Sequence, residues 1–140
     1  MGLPTREEIN VYDSLDERVA VEHFLGRTLD EAEYLFCENP LRYFEDLMWM
    51  GPIAFRFYVI AAIRYLTRSP RRVLSGDYFA SVIGFRLDYE PEELKPVGKE
   101  LLAAFAYLSE QAVSSPLAVS EREALADTYR RLSILMKSEG

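Results

Sequence analysis

The run from Leu47 to Leu66 limits what this chain can become more than any other stretch, because sixteen of its residues are apolar or tyrosine. Such a run is a membrane span, a buried core or an adhesive surface. A spanning helix needs about 20 largely apolar residues without interruption. Here Gly51-Pro52 interrupts it, since Gly suits the position after a helix and Pro the first turn of the next. The longer piece, Pro52 to about Thr67, would extend roughly 24 Å at 1.5 Å per residue, and it carries Arg56 and Arg64. The break and the two charges argue against a span. What is left reads as a helix apolar on nearly every side, the kind that other helices surround.

Caps and periodicity predict the neighbours of this helix. Leu15, Val19, Ala20, His23 and Phe24 make one inward face of a first helix that ends near Gly26. Thr28-Leu-Asp-Glu31 is a capping box, opening a second helix with Leu29, Ala32, Leu35 and Phe36 inward. Asn39-Pro40 starts a third, with Leu41, Phe44, Leu47 and Met48 as its buried stripe. After the basic turn Arg68–Arg72, Asp77 to about Tyr89 fits a helical face through Tyr78, Val82, Phe85 and Tyr89, although Phe85–Tyr89 also alternates as a strand would. Pro91, Pro96 and Gly98 mark a connection. Leu101, Phe105, Leu108 and Ala112 define a further helix, and Ser120 caps a last one with Leu125, Tyr129, Leu132 and Met136 on one side. The expected fold is all-α: a compact orthogonal bundle of six or seven helices around the central apolar helix at about 52–67, forming a single helical domain over residues 1–140.

Within the central run, Met50-Gly-Pro-Ile-Ala-Phe-Arg-Phe-Tyr58 resembles the "PxAFRYY" helix of small bacterial domains of unknown function. The likeness is to a short motif. Phe57 and Val59-Ile60 depart from it, where the pattern has Tyr and Leu-Pro, and Leu101–Val113 would supply the Leu/Phe-rich helix that follows. The resemblance implies a bacterial source and brings no activity, substrate or catalytic residue.

Charge and rare residues exclude several functions. A net charge of −7 disfavours nucleic acid and anionic membranes as partners, because both call for a basic surface. One cysteine, Cys37, and one histidine, His23, leave no ligand set for a zinc site and no intramolecular disulfide. No metal and no other cofactor is therefore expected. The opening Met-Gly-Leu-Pro-Thr-Arg-Glu-Glu lacks the apolar core of a secretory signal, so a cytoplasmic location is expected. Glycine-rich phosphate loops and Gly-x-Ser-x-Gly elbows are absent from the sequence. His23 would need a carboxylate brought near it in space to act as a base; on an inward stripe it reads first as a structural residue. Cys37 lies among Glu33 and Glu38, which raise rather than lower a thiol pKa. No catalytic residue is assigned.

Two features stand out. Residues 1–50 hold twelve acids and four bases, and on the second and third helices Asp30, Glu33, Tyr34, Glu38 and Trp49 form a candidate partner-binding surface: carboxylates steer a basic protein, aromatics supply contact area. Arg42, Glu45 and Asp46 are placed on the polar side of the third helix. The second feature is Arg56, which cannot be buried alone in so apolar a helix. An ion pair with Glu45 or Asp46 across the Gly51-Pro52 corner is the leading expectation; an anion-binding pocket using Arg56 or Arg64 is the alternative. Three function classes remain: a protein-interaction module, similar in character to immunity or antitoxin proteins; a small-molecule or anion-binding domain; and, last, an enzyme. Nothing in the sequence decides the oligomeric state.

Overall fold

The computed structural model describes residues 2–137. Among them are eight α-helices and no strands: α1 (Arg6–Ile9), α2 (Leu15–Phe24), α3 (Leu29–Glu38), α4 (Pro40–Trp49), α5 (Pro52–Thr67), α6 (Gly76–Tyr89), α7 (Gly98–Ala112) and α8 (Val119–Lys137), with 3-10 turns at Pro70–Ser75 and Pro91–Val97. The all-α expectation holds, and Gly76–Tyr89 is helical throughout. The four-residue α1 and the two 3-10 turns have too few residues for periodicity to reveal them. No helix among the described residues is long and apolar enough to cross a membrane. The chain forms two compact units, Met1–Arg64 and Tyr65–Gly140.

In the first unit α2 packs on α1 and α4, and α4 on α3. Three successive capping boxes start the helices: Thr5 with Glu8, Ser14 with Glu17, and Thr28 with Glu31. Each satisfies two end amides reciprocally. Asn39 serves α4, its side chain accepting from the Arg42 amide. A chain of rings fills the interior: Phe24 lies 5.7 Å from Phe36 and 4.9 Å from Tyr58, and Phe36 lies 5.2 Å from Phe44. All four are fully buried. The Tyr58 hydroxyl lies 2.8 Å from both the Phe24 and Arg27 carbonyls, so the α2–α3 turn is tied to α5. Burial pushes that phenol up to about 12.

The inward face of α2 differs from the one read from the sequence. Leu15 is 75% exposed and Val19 lies at the surface, while Glu17, Ala20, Val21 and Phe24 face the core. Glu17 is drawn inward by the loop before it. Its carboxylate accepts from the amides of Val11 (2.9 Å), Tyr12 (3.1 Å) and Ser14 (3.0 Å) and from the Ser14 hydroxyl (2.9 Å). Asp13 takes up the left-handed φ of 57° that turns this loop, and its carboxylate pairs with Arg18. On α4 Leu41 is exposed, leaving Phe44 and Leu47 as the buried stripe. In the second unit Tyr89 is exposed too; Val82 is buried as expected, and the buried side of α6 also takes in Phe79, Ala80, Ile83 and Leu87.

Gly51 separates α4 from α5, as expected, yet its role is steric. A Cβ there would collide with the Glu8 carbonyl and a Val11 methyl, and the Gly51 amide donates to the Ile9 carbonyl at 2.9 Å. Helix α5 keeps one exposed residue, Ile53, and buries Ala54, Phe55, Tyr58, Val59, Ala61, Ala62, Tyr65 and Leu66.

The second unit pairs α8 with α7 and α6, with both 3-10 turns against α6 and α7. Phe79 stacks on Phe105 at 5.6 Å, over Leu101, Leu108, Leu125 and Leu132, all buried. Thr128, which the sequence reading passed over in favour of Tyr129, is the buried member of that turn of α8. Buried Arg86 reaches Glu93 at 3.2 Å. Helix α8 begins at Val119, so Ser120 lies inside it rather than at its cap.

Two substitutions test this framework. Gly51→Ala should cost about 1–3 kcal/mol, the range for overfilling a close contact, read as a lowered denaturation midpoint. Glu17→Gln should cost about 2 kcal/mol at pH 7, in line with hydrogen bonds to a charged group. Burial raises the Glu17 pKa, but the bonds from Ser14, Tyr12 and Val11 more than offset it, so the carboxyl titrates below its ordinary 4.5. A depressed carboxyl stabilises above its unfolded pKa and loses that contribution as pH falls through the folded one. The gap between wild type and Glu17→Gln should therefore be full above pH 4.5 and close below it; a gap independent of pH would contradict the role given to the carboxylate.

Candidate functional site: the acidic face of the first unit

The capping box at Thr28 fixes where α3 begins, and a helical spacing of three and four then decides which side chains share a face. Arg27, Asp30, Glu31, Tyr34, Leu35 and Glu38 follow that spacing and line one open depression. Asp30, Tyr34 and Glu38 are exposed, Tyr34 by 64%. Glu31 is committed to the cap: its carboxylate accepts from the Thr28 amide at 2.9 Å, and the bonds with Thr28 hold its pKa below the ordinary value. It stays charged beside Asp30. Of the five residues proposed for the partner surface, the structure thus gathers Asp30, Tyr34 and Glu38. Glu33 is half-buried and does not line the depression, and Trp49, 37% exposed, stands at the end of α4.

Asp46 is not on the polar side of α4. It is buried, and His23 is its partner: His23 Nδ1 lies 2.6 Å from Asp46 Oδ2. Arg42 completes the cluster, its guanidinium 3.2 Å from His23 Nε2. Arg42 has only protons to give, so Nε2 accepts and Nδ1–H donates to the carboxylate, the arrangement of a neutral imidazole. The Tyr43 ring stands edge-on to His23 at 5.0 Å. Burial raises the Asp46 pKa to about 6, against the opposing hydrogen bond from His23. A carboxylate-oriented imidazole can hold and pass a proton. Here the nitrogen a base would use is the one that accepts from Arg42, and the cluster as it stands clamps α2 to α4.

Arg56 and Arg64 are both half-buried on α5. Neither lines the first unit's open depression on α3. Cys37 is exposed. No three metal-ligating side chains cluster among the described residues.

No family model, curated protein or solved structure matches this chain. The partnership of His23 with Asp46 was beyond sequence reasoning, since the two lie 23 positions apart and nothing in either helix's periodicity points to the other.

Removing one member of a buried pair typically costs 3–5 kcal/mol, because the survivor is left without its partner. His23→Ala should therefore destabilise by about 3 kcal/mol at pH 8, and adding Asp46→Asn should recover much of the loss. A carboxyl whose folded pKa stands above its unfolded 3.8 makes stability fall as pH rises between the two values. The loss in His23→Ala should shrink toward pH 4, where Asp46 takes up a proton instead. Equal destabilisation at pH 4 and pH 8 would contradict the clamp.

Proposed function

We propose that this chain is a protein-interaction module whose first unit receives a basic protein. The observation that carries the reading is the exposed row of Asp30, Tyr34 and Glu38 on α3, three side chains of suitable chemistry on one open face. The charge distribution supports it. Residues 1–64 hold twelve acids and six bases, net −6, whereas residues 65–140 hold eleven and ten, net −1. A field of one sign concentrated on one unit raises the encounter rate with an oppositely charged partner and repels phosphate backbones and anionic lipid. The module works in the cytosol, without catalysis and without cofactor, in the manner of immunity and antitoxin proteins that cover a basic surface. The short-motif likeness of Met50–Tyr58 to the "PxAFRYY" helix of small bacterial domains fits a bacterial source for such a module and adds no activity.

The test compares wild type with Asp30→Lys/Glu38→Lys as immobilised baits in lysate. Proteins held by wild type should be basic, should be released as salt rises from about 0.1 to 0.5 M, where exposed charges are screened within a few ångströms, and should be missing from the variant. With a purified partner the double reversal should slow association about tenfold while leaving the melting temperature nearly unchanged. Partners that are retained equally by the variant and at high salt would sink the proposal.

A further inference from the structure

The chain's one histidine is held from both sides. Asp46 Oδ2 lies 2.6 Å from Nδ1 and the Arg42 guanidinium 3.2 Å from Nε2, so a carboxylate, an imidazole and a guanidinium stand in line across α2 and α4. The inner end of the line is buried and the outer end is open: the Asp46 side chain is 6% exposed, that of His23 14%, and Arg42 is exposed. The two contacts make different demands on the ring. Nε2 accepts from Arg42 only while it carries no hydrogen, because a guanidinium has donors and no acceptor. Asp46 can stay bound to Nδ1 with or without a further proton.

We infer that this line is a proton-operated release for Arg42: a single proton taken up by the His23–Asp46 pair puts a hydrogen on Nε2 and frees the guanidinium from the ring, while the ring stays bound to Asp46. The inference is independent of the basic-partner reading. It is also independent of which partner formally holds the proton shared between Nδ1 and Oδ2. If the ring holds it, an imidazolium with hydrogens on both nitrogens pairs with a carboxylate. If Asp46 holds it and donates to Nδ1, the neutral ring carries its own hydrogen on Nε2. In both forms Nε2 has become a donor facing a donor, and in the first form two cations face each other. Coupled groups titrate as a pair in this way. Burial of Asp46 raises the range of uptake from the ordinary 3.8 to about 6.

The neighbouring groups leave Arg42 as the member that moves. Glu45, also on α4, adds a negative charge that raises the Asp46 pKa, whereas the Arg42 charge lowers it. Beyond the end of α2, Arg27 Nε donates to the His23 carbonyl at 3.1 Å. From α5, the Tyr58 hydroxyl is bound to the Phe24 and Arg27 carbonyls. Helix α1, also packed on α2, brings Arg6 and Glu7, both exposed, and Glu8, whose carboxylate accepts from the Thr5 amide at 2.8 Å. The Tyr43 ring stands edge-on to His23 and 5.5 Å from Arg42 Cζ, a position from which it can keep the released cation close. Burial fixes Asp46 and the ring. An exposed arginine gives up one contact for water at little cost.

The single histidine makes the test direct, since every imidazole signal in a nitrogen-15 spectrum of the full chain is that of His23. At pH 8 Nε2 should give the signal of a bare acceptor and Nδ1 that of a protonated nitrogen, and a nuclear Overhauser contact should join the Arg42 side chain to the ring. At pH 5 Nε2 should read as protonated and the Arg42 contact should be gone, with the contact between the ring and Tyr43 retained. Arg42→Met alters an exposed position and removes the donor that favours the bare form, so its pair should take up the proton at a pH higher by about half a unit to one unit. An Nε2 that stays bare down to pH 5, with the proton on the outer oxygen of Asp46, would overturn the inference. An Arg42 contact that outlives protonation of Nε2, or an Arg42→Met titration identical to wild type, would do the same. Loss of the Tyr43 contact together with that of Arg42 would show the α2–α4 clamp opening as a whole, and the release would again be refuted.

Discussion

The carboxylate of Glu17 is the constraint on which the first unit's arrangement turns. It is 3% exposed, and an unpartnered ion in that position would be prohibitively costly. The loop before α2 removes the cost by presenting three amides and a hydroxyl. The same bonds shape the loop. With Val11 and Tyr12 fixed by their own backbone, α1 is carried back to the start of α5, where the Ile9 carbonyl meets the Gly51 amide. Residue 51 has to be glycine for that approach, since any side chain would strike the Glu8 carbonyl. One buried charge at the third position of a helix thus determines which residue is tolerated 34 positions later.

A second buried carboxylate is handled differently. Asp46 meets a side chain, His23, in place of backbone amides, and this difference sets the sign of its response to pH. Amide donors stabilise the ionised form of Glu17 and depress its pKa; a single imidazole donor does not outweigh burial at Asp46, whose pKa rises. The two groups make opposite contributions as a solution is acidified, and both lie within the first unit. The packing around them is carried by rings rather than by charge: Phe24, Phe36, Phe44 and Tyr58 touch in sequence, and burying each such side chain contributes on the order of 2 kcal/mol.

Legibility followed the strength of local signals. Helix starts governed by caps were read correctly at Thr28 and Asn39, because the cap chemistry lies within three or four residues. The interior of α7 was also legible, its Leu101, Phe105, Leu108 and Ala112 all buried. The facing of α2 was not. Its apolar residues are too few to define one side, and the decisive contact is a polar residue, Glu17, turned inward by a loop whose conformation the sequence does not announce. Asp46 escaped for a related reason: a carboxylate on an amphipathic helix reads as solvent-facing unless its partner is known. At the candidate surface, Asp30, Tyr34 and Glu38 were legible as outward residues of α3, but the row they share was not, since the spacing grouped Asp30 with Glu33 and Cys37, neither of which lines the depression. The approach of α1 and its following loop to Gly51 was not legible either, because the contacts of Glu8 and Val11 with that glycine join residues about 40 positions apart.

Under the proposed reading, the range of a surface charge decides what the α3 carboxylates would contribute. A field from exposed charges reaches about 8 Å at physiological ionic strength, so Asp30 and Glu38 would set how often a basic protein arrives rather than how long it stays. Steering of that kind tolerates mobile side chains, and both acids stand on exposed helix surface that needs only the Thr28 capping box to fix where it begins. Contact energy does not tolerate mobility, because each side chain ordered on binding costs about 0.5–1.5 kcal/mol. The buried carboxylates act in the opposite way: Glu17 and Asp46 keep their charge inside the first unit, one ordering a loop through its amides and the other joining α2 to α4 through His23.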